Sequence, residues 1–324
     1  MQTPQLARTK PPVLRPGDTV GIVAPASNIQ RDLLLAGCAR LEQLGYRPFY
    51  FDSILEQDLY FAGSVERRAR QLEAMFERDD VRAILCARGG YGANYLLQEL
   101  NPSKVLGHPK IFVGYSDITT LLTCFCDNGS MITFHGPMVT KDFASADGVD
   151  LASWESALGG RATWDVTDSG MKPLVEGKAQ GAFYGGCLTL LTATLGTPHE
   201  IRTAGTILFL EDVATKPYQI DRMLMQLKLA GKLNGVQGIV FGEMADCVQH
   251  PQQPYTLEEV IMRVVGNLGI PIAFGLRSGH VSRANITLPL GVQASLEVTA
   301  DGVRLQFLEA ATMPISVPAG ESRA

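Results

Sequence analysis

The chain has 324 residues, which at about 150 residues per domain predicts two domains. Its 28 Lys and Arg residues against 33 Asp and Glu residues give a formal net charge of −5, which excludes the basic surface that nucleic-acid binding requires. Hydrophobic residues make up 46% and charged residues 19%. This composition excludes a disordered chain and favours a globular protein with a sizeable core.

The termini and cysteines predict a cytoplasmic protein without membrane segments. Residues 1–12 contain no apolar stretch of the kind that a signal peptide needs, and no apolar run in the chain approaches the ~20 residues of a membrane span. Most of the six cysteines have apolar neighbours, which favours buried, reduced thiols. Cys124 and Cys126 are two positions apart with no histidine nearby, so we expect no zinc site and no cofactor.

Short apolar runs alternate with amphipathic stretches in the first half, a pattern that predicts βαβ units and a parallel sheet. The predicted strands are residues 20–24, 83–86, 111–113 and 131–134, and the predicted helices are 33–44, 67–76 and a segment around Leu121. Residues 141–180 are rich in glycine and lack strong apolar runs, which predicts an irregular connection.

A second αβ region follows this connection. It has predicted strands at 206–210 and 238–242, predicted helices at 218–229 and 256–268, and a strand-like alternation over 285–308 with turns at Gly291 and Gly302. We therefore predict a Rossmann/flavodoxin-like parallel-sheet domain at 13–140, a connecting segment at 141–180, and an α/β domain with a mixed sheet at 181–314.

Ligands of open parallel sheets bind beyond the carboxyl ends of the strands, and this rule selects the loops after Val23, Cys86 and Val113. The third loop places Ser116 on a turn between a strand and a helix, as a nucleophile elbow requires. Ile118 stands where that motif usually has its second glycine, so a helix-capping role for Ser116 remains an alternative. The second loop, Arg88-Gly89-Gly90-Tyr91-Gly92, is either an oxyanion or phosphate cradle or a bare turn.

A serine nucleophile needs a base and an orienting carboxylate. Of the five histidines, His108 and His199 adjoin prolines in predicted turns and His250 lies in a predicted solvated loop. His135 follows a predicted strand, and His280 lies in a loop after an apolar run. Glu211 and Asp212 end a strongly apolar strand, where a carboxylate either caps a helix or has a functional role. The order Ser116, Glu211, His280 is compatible with a catalytic triad, so the residues alone indicate a possible serine hydrolase.

From Leu14 to Leu308 the chain resembles the LD-carboxypeptidases (muramoyltetrapeptide carboxypeptidases) and their relatives that confer self-immunity to microcin C. The resemblance rests on the joint order of several motifs: Arg88-Gly89-Gly90-Tyr91-Gly92, Gly114-Tyr115-Ser116-Asp117-Ile118-Thr119, Phe134-His135-Gly136-Pro137, Leu210-Glu211-Asp212-Val213, Pro217-Tyr218-Gln219-Ile220-Asp221-Arg222, Gly279-His280 and Leu288-Pro289-Leu290-Gly291.

This resemblance implies a cytoplasmic, homodimeric serine carboxypeptidase that needs no metal or cofactor. It would release terminal D-alanine from muropeptide tetrapeptides during peptidoglycan recycling. It implies that Ser116 is the nucleophile, His280 the general base and Glu211 the orienting carboxylate. The backbone N–H groups of Gly89, Gly90 and Asp117 would form the oxyanion hole, and the expected substrate-binding residues are Arg88, Tyr91 and His135.

One departure from the family pattern concerns the substrate. Gly185-Gly186-Cys187-Leu188 stands where the family commonly has Gly-Gly-Asn-Leu. A first alternative is a microcin C-type immunity peptidase that cleaves a peptidyl-nucleotide, with Trp154 or Trp164 stacking on the base, although these residues are also typical of packing. A second alternative is a non-catalytic protein that binds a peptide or sugar.

Overall fold

The computed structural model describes residues 8–248 and 252–313, so His250 and Pro314 lie outside the described residues. Strands and helices alternate along most of this part of the chain. In chain order its strands are β1 (Thr19–Val23), β2 (Arg47–Phe49), β3 (Val81–Cys86), β4 (Ile111–Gly114), β5 (Thr133–His135), β6 (Trp164–Asp165), β7 (Lys172–Val175), β8 (Gly177–Cys187), β9 (Thr206–Glu211), β10 (Gly238–Gly242), β11 (Ile272–Leu276), β12 (Leu288–Leu290), β13 (Gln293–Thr299) and β14 (Gly302–Phe307).

Helices connect most of the parallel strands. In chain order they are α1 (Arg31–Gln43), α2 (Val65–Glu77), α3 (Leu96–Glu99), α4 (Pro102–Leu106), α5 (Thr119–Asp127), α6 (Leu151–Leu158), α7 (Leu188–Ala193), α8 (Pro217–Leu229) and α9 (Leu257–Val265). Short 3-10 turns at Asp52–Leu55, Ala93–Tyr95 and Ser116–Ile118 and a π-helical turn at Val139–Phe143 complete the set. None of the helices in the described part of the chain is long and apolar enough to cross a membrane.

The first sheet has six strands, with β12 at the edge beside β5, and the other five have the order β2-β1-β3-β4-β5 with neighbouring strands parallel. This is the flavodoxin-like order, which confirms the predicted fold class of the first half. Strands β3 and β4 are almost entirely buried apolar runs, as expected where helices cover both faces of a parallel sheet. The carboxyl ends of β1, β3 and β4 therefore lie together at one edge.

The second sheet is mixed, with the order β6-β14-β13-β8-β9-β10-β11-β7. Its centre, β8 to β11, is parallel, and antiparallel strands extend it on both sides. This arrangement confirms the predicted mixed sheet of the second half. Strands β9, β10 and β11 are fully buried, so the polar residues that end them are placed by a rigid core.

The interpretation of residues 141–180 as irregular was wrong. This segment contains helix α6 and strands β6 and β7, and β8 begins within it. The strands pair with partners more than 90 residues away, β7 with β11 and β6 with β14, so no local apolar pattern marks them. Trp154 and Trp164 are 1% and 5% exposed, and Trp154 Nε1 donates to the Tyr46 hydroxyl, so both tryptophans have the packing role.

Strand β12 joins the two halves of the molecule. Residues 285–308 were predicted as strands of the second region, but β12 pairs antiparallel with β5 of the first sheet. The segment that follows His280 therefore returns to the first sheet before β13 and β14 complete the second. This crossing fixes the loop that carries His280 against the end of β5.

Candidate active site

Ser116 lies on a sharp turn between β4 and α5. Its φ of +62° falls in the left-handed region, which costs a residue with a Cβ about 1–2 kcal/mol and is typical of functional sites. Gly114 allows the turn to close, because a Cβ there would approach Ile118 Cγ2 to 2.8 Å. No side-chain capping bond is made at the start of the 3-10 turn or of α5. The helix-capping interpretation of Ser116 is therefore wrong, and the turn instead has the form of a nucleophile elbow.

The glycine-rich loop after β3 lies directly beside Ser116. A Cβ on Gly89 would lie 2.8 Å from Ser116 Cβ and 3.2 Å from the Asp117 backbone nitrogen, so only glycine fits without a shift. Gly90 has a φ of +100°, and a Cβ there would meet Ser27 Oγ at 2.3 Å. Backbone of the glycine-rich loop thus approaches Ser116 closely, as an oxyanion hole for this serine would require.

Two side chains fix this loop. Ser27, in the loop after β1, donates its backbone N–H to the Gly89 carbonyl at 3.3 Å, and its Oγ accepts from the Tyr91 backbone N–H at 3.0 Å. On the other side, the Asp117 carboxylate accepts from the Ala93 backbone N–H at 2.7 Å. Burial raises the pKa of Asp117 to about 6, although backbone donors and the nearby Arg68 oppose the shift. Ser27 lies in the loop after Val23 that the strand-end rule selects, but no sequence motif distinguishes this serine.

Glu211 and Asp212 at the end of β9 have different roles. Asp212 accepts from the Thr189 backbone N–H and hydroxyl at 2.9 and 2.8 Å, so it holds the first turn of α7. Glu211 is 1% exposed, and its Oε2 lies 2.7 Å from His280 Nδ1. Of the two roles considered for these carboxylates, Asp212 has the capping one and Glu211 faces the histidine.

His280 connects Glu211 with Ser116 through both ring nitrogens. Its Nδ1 faces the carboxylate, which can only accept, so Nδ1 carries the proton and Nε2 is free to accept. Ser116 Oγ lies 3.0 Å from Nε2, so the hydroxyl donates to the imidazole. The His280 side chain is 14% exposed and Ser116 is partly exposed, so a substrate can reach both. The structure brings together the three residues proposed from the sequence.

The surroundings hold Glu211 ionised and His280 in place. Burial opposes ionisation of Glu211, but the neighbouring His135 and His280 outweigh it and lower its pKa to about 2. The His280 backbone N–H also donates to Glu211 Oε2 at 3.1 Å. The Asn285 side chain brackets the preceding Gly279, accepting from its N–H at 3.0 Å and donating to its carbonyl at 3.1 Å. Sequence reasoning missed Asn285 because nothing local distinguishes it.

The three residues expected to bind substrate have different environments. Arg88 and Tyr91 are exposed in the glycine-rich loop, and the Arg88 guanidinium donates to the Asn28 carbonyl at 3.2 Å. His135 is different: its side chain is fully buried beside Glu211, 3.7 Å from Oε1. The expectation that His135 contacts substrate is therefore wrong, because its position at a strand end could not show which way the ring points.

Cys187, at the position where the family commonly has asparagine, ends β8 opposite Glu211 in the neighbouring strand. It is 3% exposed, and its backbone N–H donates to Thr119 Oγ1 at 3.1 Å. Burial raises the pKa of the Cys187 thiol well above its usual value, and the charges of Glu211 and Asp212 add to the shift. The thiol therefore stays protonated, the form that is a poor nucleophile.

Comparison with known proteins places both halves of the chain in one family. Residues 20–136 match the LD-carboxypeptidase N-terminal domain and residues 180–296 match the LD-carboxypeptidase C-terminal domain. The chain is 40% identical to a probable murein peptide carboxypeptidase of Bacillus subtilis, over 89% of this chain and 91% of that protein.

Two solved structures share the fold. One is a muramoyltetrapeptide carboxypeptidase from Oxalobacter formigenes, with a TM-score of 0.79 and 28% identity over 90% of this chain and 99% of that one. The other is the microcin C7 self-immunity protein MccF, with a TM-score of 0.87 and 23% identity over 94% of this chain and 100% of that one. The resemblance stated from the motifs is confirmed.

Proposed function

This chain belongs to the LD-carboxypeptidase family, and from that membership we propose that it is a serine peptidase that releases terminal D-alanine from muropeptide tetrapeptides. The observation that carries the proposal is the continuous contact from Ser116 Oγ through His280 to Glu211, at 3.0 and 2.7 Å. A strained serine at a strand-to-helix turn and glycine backbone beside it supply the rest of an acyl-transfer site.

The proposed mechanism assigns a role to each group. His280 Nε2 takes the Ser116 proton as Oγ attacks the carbonyl of the L-configured residue, and Glu211 stabilises the imidazolium. The backbone N–H groups of Gly89, Gly90 and Asp117 stabilise the oxyanion, each donor contributing about 3 kcal/mol. His280 then protonates the leaving D-alanine amine, and a water molecule activated by the same imidazole hydrolyses the acyl-enzyme.

Arg88 is the proposed partner of the substrate's terminal carboxylate. Its guanidinium is exposed and belongs to the same loop as Gly89, which lies against the nucleophile. A guanidinium can bind a carboxylate with two parallel hydrogen bonds, which fixes direction as well as charge. Binding there would place the last peptide bond, rather than an internal one, at Ser116.

The direct test is release of D-alanine from a muropeptide tetrapeptide by the purified protein. We expect release by the wild type and by Ser103→Ala, which changes an exposed serine of α4, and a loss of at least 10⁴-fold in Ser116→Ala. Equal rates in Ser116→Ala and wild type would contradict the assignment of the nucleophile. No release by the wild type would contradict the proposed substrate.

Further assays of the purified protein distinguish this proposal from a microcin C-type peptidase and from a non-catalytic binding protein. Trp154 and Trp164, the aromatic residues suggested for stacking on a nucleotide base, are buried, so they do not support a microcin C-type activity, although the likeness to MccF remains consistent with it. Cleavage of a peptidyl-sulfamoyl adenosine without release of D-alanine would favour the microcin C-type activity over the muropeptide carboxypeptidase. Failure of a fluorophosphonate to label the protein, together with no turnover, would favour a non-catalytic binding protein.

Two further features implied by family resemblance stay predictions. We propose that the protein is a homodimer and that it acts in the cytoplasm on recycled wall peptides. Light scattering during size-exclusion chromatography tests the first, with a mass near 70 kDa expected for two chains of 35.0 kDa. A mass near that of one chain would contradict the dimer.

A further inference from the structure

His135 is a buried histidine next to the proposed triad that the mechanism does not use. It ends β5, and its ring lies between Phe209 and Tyr115, with centroids 5.1 and 6.0 Å away. Its Nδ1 is 2.9 Å from Ser278 Oγ, and its Nε2 is 3.7 Å from Glu211 Oε1. The side chain has no exposure to solvent.

The contacts of Ser278 determine where one proton of His135 lies. Ser278 Oγ is 2.8 Å from the Ile286 carbonyl, which can only accept, so the single hydroxyl proton points there. The oxygen is then an acceptor toward the imidazole. His135 Nδ1 must therefore carry a proton and donate it to Ser278.

The other side of the ring faces a carboxylate oxygen. Among the described residues, His135 Nε2 and Glu211 Oε1 are both buried atoms without a hydrogen-bond partner. If Nε2 carried no proton, two acceptors would face each other away from water, an arrangement that buried polar groups avoid. A proton on Nε2 turns the same 3.7 Å contact into an attractive ion pair.

We propose that His135 is a positioning residue with protons on both ring nitrogens, held by Ser278 and directing its Nε2–H at Glu211 Oε1. This inference rests on the proposed function, because it concerns the acid–base chain of that reaction. With Oε1 held by His135, the carboxylate presents Oε2 to the His280 side chain and backbone. Gly279 makes the close packing possible, since a Cβ there would lie 2.7 Å from Glu211 Cδ and 2.9 Å from His135 Cε1.

The charge of His135 also affects His280. The Glu211 carboxylate faces the imidazoles of both His135 and His280. It stabilises a positive charge on His280, whereas a positive charge on His135 repels that charge and offsets part of the stabilisation. In the described part of the chain, the Tyr115 phenol also makes a ring contact with His135; burial and the nearby Asp142 carboxylate raise its pKa well above its usual value, so it stays neutral. Beyond it, Lys141 lies 5.5 Å from the Tyr115 ring. His135 thus competes with His280 for the charge of Glu211.

Nuclear magnetic resonance of the imidazole nitrogens tests the protonation directly. In the full-length wild-type protein at pH 7, we expect both His135 nitrogens to show the shifts of protonated nitrogen. The signals are assigned by their disappearance in His135→Gln. In Glu211→Gln, one nitrogen should become unprotonated because the ion pair is lost. An unprotonated Nε2 in the wild type would overturn the proposal.

A second test measures how fast a fluorophosphonate labels Ser116 as a function of pH. In this step a bond forms from Oγ to phosphorus, fluoride leaves, and the hydroxyl proton passes to His280. His135→Asn keeps an amide near Ser278 but removes the group that faces Glu211, whereas His135→Gln restores an uncharged donor there. We expect labelling to slow about tenfold or more in His135→Asn and to recover partly in His135→Gln. In both, the midpoint of the acid limb should rise by about 1 pH unit.

Phe209→Leu is the matched control, because it loosens packing on the same ring without removing its charge. Phe209→Leu should lower the melting temperature and leave the midpoint of the acid limb of the labelling rate unchanged. A wild-type midpoint in both His135 variants would overturn the proposal. The labelling assay needs no muropeptide, so it tests the role of His135 independently of the substrate. If the protein is labelled but releases no D-alanine, the proposed substrate is contradicted while the proposal for His135 can still be tested.

Discussion

The two halves of the molecule contribute to the candidate site in different ways. The first half supplies backbone: the strained φ of Ser116, the close approach of Gly89, and the loop that Ser27 and Asp117 hold. The second half supplies side-chain charge, since Glu211 ends β9 and His280 lies in the loop that follows β11. Substitutions of the glycines beside Ser116 should therefore act through shape, and those of Glu211 and His280 through charge and pH.

The largest expected effect comes from removing the charge of Glu211. Glu211→Gln should lower kcat for D-alanine release by about 10⁴-fold, because an amide cannot stabilise the imidazolium that forms on His280. The matched control is Asp212→Asn, which changes the adjacent carboxylate that holds α7 and should cost about 1 kcal/mol of stability with activity largely retained. Equal loss of activity in both variants would remove the distinction between the two carboxylates.

A smaller loss is expected from filling the space beside the nucleophile. Gly89→Ala should lower kcat by about 10²–10³-fold, the effect of losing one oxyanion donor, without moving the midpoint of the pH profile. Gly17→Ala is the control, because its φ of +94° makes it strained while no atom lies near the added Cβ. It should reduce stability and spare activity. A shifted pH midpoint in Gly89→Ala would contradict a purely steric role for Gly89.

Removing the exposed cation of the same loop should affect binding rather than chemistry. Arg88→Ala should raise KM for the tetrapeptide about tenfold with kcat nearly unchanged, since the terminal carboxylate loses its partner in ground and transition states alike. A substrate with an amidated terminus should show no further loss in this variant. Arg47→Ala, at an exposed position of β2, serves as control. An unchanged KM in Arg88→Ala would assign the carboxylate to another residue.

The smallest expected effect is a pair of opposite pH slopes in stability. The lowered pKa of Glu211, about 2, stabilises the folded state above about pH 4.5, and this contribution is lost as the pH falls toward 2. The raised pKa of Asp117, about 6, acts oppositely: ionisation costs folding free energy as the pH rises from about 4 to 6. Each slope is at most about 1.4 kcal/mol per pH unit.

Denaturant unfolding from pH 2 to 7 measures these slopes. Relative to wild type, Glu211→Gln should lose its slope between pH 2 and 4.5, and Asp117→Asn should lose the opposite slope between pH 4 and 6. The same sign of change in both variants would contradict the opposite pKa shifts of these two carboxylates.

The sequence predicted those parts of the fold that local patterns encode. Buried apolar runs marked β1, β3, β4, β9 and β10, because strands covered on both faces need such residues. Strands β6, β7 and β12 depend on partners far away in the chain, so no local pattern could assign them to a sheet.

Contacts between residues far apart in the chain also limit what the sequence predicts about the candidate active site. Ser116, Glu211 and His280 could be selected because each follows a strand or an apolar run, and family resemblance gave each a role. Ser27, Asn285 and Ser278 hold the site through contacts between distant loops, which no spacing reveals. His135 also ends a strand, but only the packing on Phe209 shows that its ring points inward.

The central claim is that Ser116 of the first half is activated by His280 and Glu211 of the second. Mass spectrometry of the fluorophosphonate-treated protein tests it most directly. We predict a single adduct on Ser116 in the wild type and strongly slowed labelling of the same residue in His280→Ala and Glu211→Gln. An adduct on another residue, or labelling of Ser116 at the wild-type rate in both variants, would contradict the account.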